Sequence, residues 1–470
     1  MADIRLNPPE IENTFPLTIG PLEGLFSNLP ASEIGSNQAQ DMSNVIVQPG
    51  GILKTREGRA KLNSTVISAY PITGIYTYYK AAGTKQLICA CDTNLYKWVS
   101  PNWTSIKSGL TTSKDFEFET ILDYLIMMNG TDADLKYDGT TVAAIGGSPP
   151  VGKYPVEHYS CLFMVEAADK SKVRFSDVGN FDSWPSTRYF YFTRDDGYDI
   201  VRILKFKGVL LVFKEGSLQA LLGNDTDNFE RYTYDPYKGA VASRSIVQVG
   251  DSVYYLNRYG VDRFNGIGVG ETISFPIENL INGVNGDYIQ NSVAWEDQGL
   301  YKLIVPYGAS TVPNLGLIYD TRTNLWFRWV DYKLSCVTKY KDSTLVRTYG
   351  GDPETGFVRE LDTGNTDDGS TFSWYWESKE FGEPDPRWRK LFRYSWVKAK
   401  DQSANISLNL RADQSGSGTT STITLANTGA VLVQKLSHSE HGKFIRFKLS
   451  GNAPAEIHSL AHEGVLQAKR

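Results

Sequence analysis

Short apolar runs recur along this chain in pairs, each pair joined by a turn, at intervals near forty residues. The first members cover residues 87–91, 124–128, 161–165, 209–213, 252–256, 301–305 and 344–348. The second members begin at Leu95, Leu135, Val173, Leu218, Val261, Leu317 and Val358, in steps of 40, 38, 45, 43, 56 and 41 residues. Apolar runs this short, bounded by turn residues, predict strands. A strand repeat of this length cannot bury its faces alone and must stack on its neighbours. Strand repeats of about 40–50 residues mark β-propeller blades. The expected fold is all-β, with a β-propeller of about seven blades, six to eight being compatible, over residues 71–365. Turns such as Asp92-Thr93-Asn94 and Arg258-Tyr259-Gly260 supply residues that tolerate tight hairpin angles. Gly308 to Gly316 inserts a polar loop into the longest step and is a candidate contact segment.

Residues 1–70 read as an extended N-terminal arm, broken by Pro8-Pro9, Pro16, Pro21, Pro30 and Pro49-Gly50-Gly51. Ala31 to Asn44 is the one short helix candidate, with Ser36 as its cap. Residues 45–47 and 52–56 form a hairpin across Gln48-Pro49-Gly50-Gly51. Thr366 to Ser370 reads as a linker. In 366–470 the forty-residue beat is lost while alternation persists, which predicts a C-terminal β-sandwich.

At 470 residues the chain exceeds one compact core, in keeping with several domains. Gly 42, Tyr 27, Phe 21 and Trp 10 suit a turn-rich β protein. The N-terminus lacks an apolar core of signal-peptide length and no run approaches the ~18 residues of a membrane span. Cytosolic synthesis, or exit by a route other than a signal peptide, is expected. Net charge is -5, unevenly placed: residues 370–470 carry 14 Lys+Arg and 9 Asp+Glu, so the rest carries -10. Cys89, Cys91, Cys161 and Cys336 have no redox or zinc spacing and read as small apolar residues.

Candidate chemistry is sparse. Ser176-Asp177-Val178-Gly179 with Trp184 approaches a sialidase Asp-box but misses its spacing, and reads as a turn with a packed Trp. Arg188, Arg194, Arg202, Tyr198 and Glu215 are the types a sialidase pocket needs, without a pattern that joins them. Asp132, Asp134 and Asp138 fail the spacing of a calcium loop; with Asp225 and Asp227 they read as turn formers. His438, His441, His458 and His462 read as exposed side chains, since strand spacing does not converge them on a metal. Arg387-Trp388-Arg389-Lys390 mixes basic and aromatic residues and reads as a strand with bases outside and Trp inside. No phosphate loop, dinucleotide fingerprint or nucleophile elbow occurs. No catalysis, cofactor or metal is expected.

Arm, repeats and tail together resemble the tail nozzle, or packaged-DNA stabilisation, proteins of short-tailed double-stranded DNA bacteriophages. The resemblance rests on Gly24-Leu25-Phe26, on Gln40 to Val45, and on Gly51 to Gly58. It extends through Phe175-Ser176-Asp177, Asn180 to Trp184, Leu211 to Ser217, Gly260-Val261, Trp374 to Lys379 and Lys390. It implies a structural virion protein, not an enzyme. It also implies a homo-hexameric ring beneath the portal and the adaptor (head-to-tail connector) protein, assembled in host cytoplasm. Such a ring retains the genome and gives it an ejection channel without sequence-specific DNA binding. Tail fibres or tailspikes and the host surface are further implied partners. Asn44, Leu53, Lys54 and Arg56 are the residues expected to meet the adaptor or a neighbouring subunit. An acidic channel would repel phosphates. The competing expectations are a soluble propeller that binds or hydrolyses glycans, and a receptor-binding tail protein.

Overall fold

In the computed structural model the described residues are 14–342, 344–400, 404–413 and 418–467. They form two compact units. One contains residues 57–322 and 330–364; the other contains the described residues up to 56, 323–329 and those from 365 onward.

The larger unit is a succession of seven antiparallel sheets in chain order, a propeller-like arrangement; six are four-stranded, and the sixth has three strands within the unit, Val293–Asp297, Leu300–Val305 and Leu315–Asp320. Their first strands are Ile72–Tyr79, Glu117–Ile121, Gly152–His158, Ile200–Phe206, Val247–Val249, Val293–Asp297 and Cys336–Lys341. The apolar runs of the sequence are the second strands, such as Tyr124–Met128 and Val209–Lys214, and the runs that follow are the third. Second strands such as Tyr124–Met128 and Cys161–Glu166 are buried on both faces, whereas third strands alternate, as where Val173 and Phe175 are buried between the half-exposed Lys172 and Arg174. The seventh sheet takes its fourth strand from Arg59–Lys61, with Arg59 opposite Leu361.

Each sheet buries its faces on the next. Tyr78 and Ile88 of the first pack with Phe116 and Met127 of the second. Ile126 and Met128 meet Leu162 and Met164 of the third, whose Phe163 and Val165 meet Ile203 and Val212 of the fourth. Phe213 packs with Tyr255 of the fifth, whose Tyr254 stacks 5.4 Å from Tyr301 of the sixth. Lys302 of the sixth pairs with Asp362, just past the seventh, at 2.9 Å. Cys336 and Val358 of the seventh pack with Ile72 and Leu87 of the first. The cysteines are reduced and buried, as packing residues.

The smaller unit holds two sheets. A six-stranded sheet contains Val45–Gln48, Ile52–Thr55, Glu456–Leu466, Lys390–Lys400 and Val431–Gly442, with Thr14–Ile19 added on Glu456–Leu466. A five-stranded sheet runs Ala39–Ser43, Trp374–Ser378, Ile445–Gly451, Ile406–Ala412 and Thr419–Ile423. Phe447 of one sheet lies 5.2 Å from the His462 ring of the other. Both sheets combine strands from the front and the back of the chain.

Three local expectations are corrected. Gln38 to Met42 is not helical: Ala39–Ser43 is a strand along Trp374–Ser378, because Ala39, Met42 and Ser43 are buried beside Trp376. Lys390 is fully buried, its Nζ donating to the Gly382 and Lys443 carbonyls at 2.9 and 2.6 Å, while Trp388 is 37% exposed. His462 is buried rather than exposed, within 2.9 Å of Ser395 Oγ.

Candidate functional site

The arm residues singled out in the sequence meet in the smaller unit. Asn44 separates the strand Ala39–Ser43 of one sheet from Val45–Gln48 of the other. The chain changes sheets through its left-handed backbone, φ 56°, a conformation Asn tolerates better than most residues. Its Nδ2 donates to the Ser373 carbonyl at 2.9 Å. Its Oδ1 accepts from Arg56 Nε at 3.0 Å. The Arg56 guanidinium then forks onto both oxygens of Asp367, at 3.0 and 2.6 Å, and lies 3.8 Å over the Phe372 ring. Such planar, two-pronged pairing needs Arg rather than Lys. The expected linker at 366–370 is thereby anchored through Asp367. Leu53 is buried opposite Ile457 and Lys54 stands opposite Glu456. Of the four residues, Lys54 alone is partly exposed; the other three are engaged within the chain. Gly51, φ 78°, lies so close to Pro21 that a Cβ would meet it at 2.1 Å, which accounts for glycine there.

In the larger unit the first strands of all seven sheets border two cavities, of 250 and 260 Å³. Gly74–Tyr76, Phe116–Phe118, Ala294 and Val337 line one; Glu119, Glu157, Arg202 and Lys205 line the other. Arg244 crosses between strand entries. Its guanidinium donates to the carbonyls of Ser335 at 3.0 Å, Thr73 at 2.5 Å and Phe116 at 3.3 Å. It pairs with Asp115 at 3.2 Å and Glu117 at 3.4 Å. One side chain thus joins the fifth sheet to the seventh, first and second. Burial works against its charge, but Asp115 and Glu117 overcome this and raise its pKa. In the second cavity, burial and the nearby Glu157 push the Glu119 carboxyl up to about 7, while Glu157 itself pairs with Lys205 at 2.8 Å.

A third, larger cavity, a mouth of 450 Å³, shares Asp115 with the contacts of Arg244. It is bordered by connections that enter the first strands, among them 113–115, 199–201 and 290–291, and by turns between second and third strands, among them 129–131 and Glu215. The lining mixes apolar groups such as Val165, Ile200 and Val241 with charges close to balance: Lys114, Lys153 and Lys170 against Asp115, Glu166, Asp199 and Glu215. Lys170 and Asp199 pair at 2.6 Å.

Of the sialidase-type residues, Glu215 lines the larger cavity while Arg202 lines both smaller ones; Arg188 is elsewhere, paired with Asp177 at 3.0 Å. Trp184 is buried and donates to the Phe181 carbonyl at 2.8 Å, the packed turn expected of that segment. Asp132 accepts from Thr111 and Asn129 as a turn former. Among the described residues no group of three His, Cys, Asp or Glu is arranged to hold a metal ion, and no helix is long and apolar enough to cross a membrane. Arg244 escaped the sequence reading because Ser243-Arg244-Ser245 lies in a connection with no periodicity. Its one signal is a lone Arg between small residues at a strand entry.

No family model and no curated protein matches the chain. Among solved structures, it is similar to the computationally designed Ika8 protein, with 8% identity, 64% of this chain and 99% of that one covered, and a TM-score of 0.40. It is also similar to BBS1N, solved in complex with ARL6DN, with 13% identity, 65% and 98% coverage, and a TM-score of 0.43. A third is PorZ, a surface component of the type-IX secretion system of Porphyromonas gingivalis, with 12% identity, 71% and 44% coverage, and a TM-score of 0.41.

Proposed function

We propose that this chain is a structural virion protein of a short-tailed bacteriophage, one subunit of a ring-shaped tail nozzle below the portal and adaptor. In this reading its seven sheets close into a seven-bladed propeller and its two-sheet unit is a sandwich that serves as the platform. The ring holds the packaged genome and gives it an exit channel. The observation that carries the reading is the Asn44–Arg56–Asp367 cluster. The arm segments on which the resemblance rests, Gln40 to Val45 and Gly51 to Gly58, contain two of its three residues. Their chemistry is thus that of a scaffold joint rather than of a catalytic site. A scaffold is further supported by Arg244, whose hydrogen bonds and ion pairs tie four sheets together near the entries of their first strands. In a head-to-tail ring, the channel lies between subunits and each propeller needs no opening of its own.

The test is gold-labelled antibody electron microscopy on particles from a lysate that encodes the chain. Label confined to the head–tail junction or tail tip is expected, followed by six-fold density in a reconstruction. Intact particles without label, given an antibody proven on the native protein, remove the virion role.

A further inference from the structure

Spacing along one strand keeps its histidines apart, but two histidines from separate strands come together in the smaller unit. His438 lies on Val431–Gly442 and His462 on Glu456–Leu466, the two strands that flank Lys390–Lys400 in the six-stranded sheet. Their ring centroids stand 6.3 Å apart. A serine meets the Nδ1 of each ring: Ser395 Oγ at 2.9 Å from His462, and Ser421 Oγ of the other sheet at 3.3 Å from His438. His462 is 1% exposed, and its ring packs against Phe392 at 5.6 Å and Phe447 at 5.2 Å. In both rings Nε2 is buried and has no hydrogen-bond partner among the described residues.

A serine oxygen that accepts from Nδ1–H leaves the ring's lone pair on Nε2. Buried lone pairs without a partner are costly, and one cation shared by the two rings removes that cost. Metal-ligating histidines are built in this way, with the far ring nitrogen hydrogen-bonded and an apolar wall around the ring. Burial first and then His438 push His462 down to about 3, and burial lowers His438 as well. Both rings are therefore neutral at pH 7, the form that ligates. Two imidazoles that share an ion through nitrogens at about 2.0–2.1 Å have centroids about 5–6 Å apart. A small rotation of the partly exposed His438 brings both rings onto one ion. We propose that His438 and His462 bind a single late-transition-metal cation, of the Zn²⁺ or Cu²⁺ class, through their Nε2 atoms. Neutral nitrogen donors select this class over Ca²⁺ and Mg²⁺, which take oxygen ligands. A pair of protein ligands makes an open site whose other positions belong to water. His438 gives the way in, being partly exposed on a strand that ends its sheet. The proposal stands on these two rings alone and holds or fails independently of the virion reading.

The experiment is calorimetric titration of chelator-stripped, full-length protein with Zn²⁺ and with Cu²⁺, and with Ca²⁺ and Mg²⁺ as controls. One equivalent of Zn²⁺ or of Cu²⁺ is expected, and none of either control. The electron paramagnetic resonance spectrum of the Cu²⁺ form should show hyperfine splitting from imidazole nitrogen. His438→Ala, at a partly exposed position, is expected to keep the fold by circular dichroism and to weaken binding at least tenfold. His441→Ala, at an exposed position three residues on, should leave binding unchanged. Folded protein that takes up neither Zn²⁺ nor Cu²⁺ overturns the proposal. So does binding that His438→Ala leaves intact, which marks an adventitious ion only.

Discussion

In the larger unit Glu117 to Ile121 pairs with Tyr124 to Met128 across a two-residue turn. In the smaller unit Thr14 pairs with Val465 and Lys54 with Glu456. The first mode assembles sheets from near neighbours; the second needs both ends of a 470-residue chain. The difference teaches where each unit is vulnerable. Local sheets lose one neighbour at a time, whereas a non-local sheet fails once either end is removed, because its loop-closure cost is recovered only when all strands are present. The larger unit has one non-local seam of its own, where Arg59–Lys61 completes the seventh sheet.

The largest expected effect follows from that contrast. Deleting residues 14–56 removes Thr14–Ile19, Ala39–Ser43, Val45–Gln48 and Ile52–Thr55. The tail strands should then lose protection while the seven sheets keep theirs. Hydrogen exchange read by mass spectrometry checks this, and equal protection in 366–467 would break the comparison.

Next in size is Arg56→Ala. It leaves the Asp367 carboxylate and the Asn44 side chain without their guanidinium partner, at a cost of about 3–5 kcal/mol. Denaturant unfolding measures it. Lys54→Ala, on the same arm but partly exposed, is expected to cost under about 0.5 kcal/mol. It thereby separates a folding role from a role in meeting partners.

Arg244→Met in the larger unit removes contacts to three carbonyls and two carboxylates. A loss of about 3 kcal/mol is expected. Because the side chain joins four sheets, the loss should appear as faster exchange at the entries of the first, second, fifth and seventh sheets together. Opening of the fifth alone would show that Arg244 is not a shared tie.

The smallest effect is in pH dependence. Burial pushes Asp134 up to about 7, and its carboxyl accepts from the Gly152 N–H at the start of the third sheet. Glu119 is likewise raised to about 7. Between the ordinary carboxylate range and about 7, the folded chain keeps protons that the unfolded chain has lost. These groups therefore lower stability as pH rises through that window. In the smaller unit, burial first and then His438 push His462 down to about 3. Below about 6.5 the unfolded chain takes a proton that the folded chain refuses, so that unit loses stability as pH falls. His158 in the larger unit, pushed down to about 4 by burial, adds the same acid-side loss there. Asp134→Asn should remove its share of the stability lost between the ordinary carboxylate range and about pH 7, and so raise the melting temperature at neutral pH relative to that at acid pH. An unchanged difference between the two would show that Asp134 ionises normally.

The sequence itself determined the second strands, such as Tyr124–Met128 and Val209–Lys214, because continuous apolar runs must be sandwiched wherever they lie. It also determined the all-β class and the forty-residue beat. First strands were less legible: Glu117 and Glu119 look like surface residues until a shared cavity gives them partners such as Arg244 and Arg202. Only tertiary structure decided that Ala39 to Ser43 is a strand, because its partner begins at Trp374, more than three hundred residues away. The same holds for Lys390, whose burial depends on the Gly382 and Lys443 carbonyls, and for Asp367, held by Arg56. Periodicity records which face of a segment avoids water; it does not record which distant segment supplies the other half of a hydrogen bond or an ion pair.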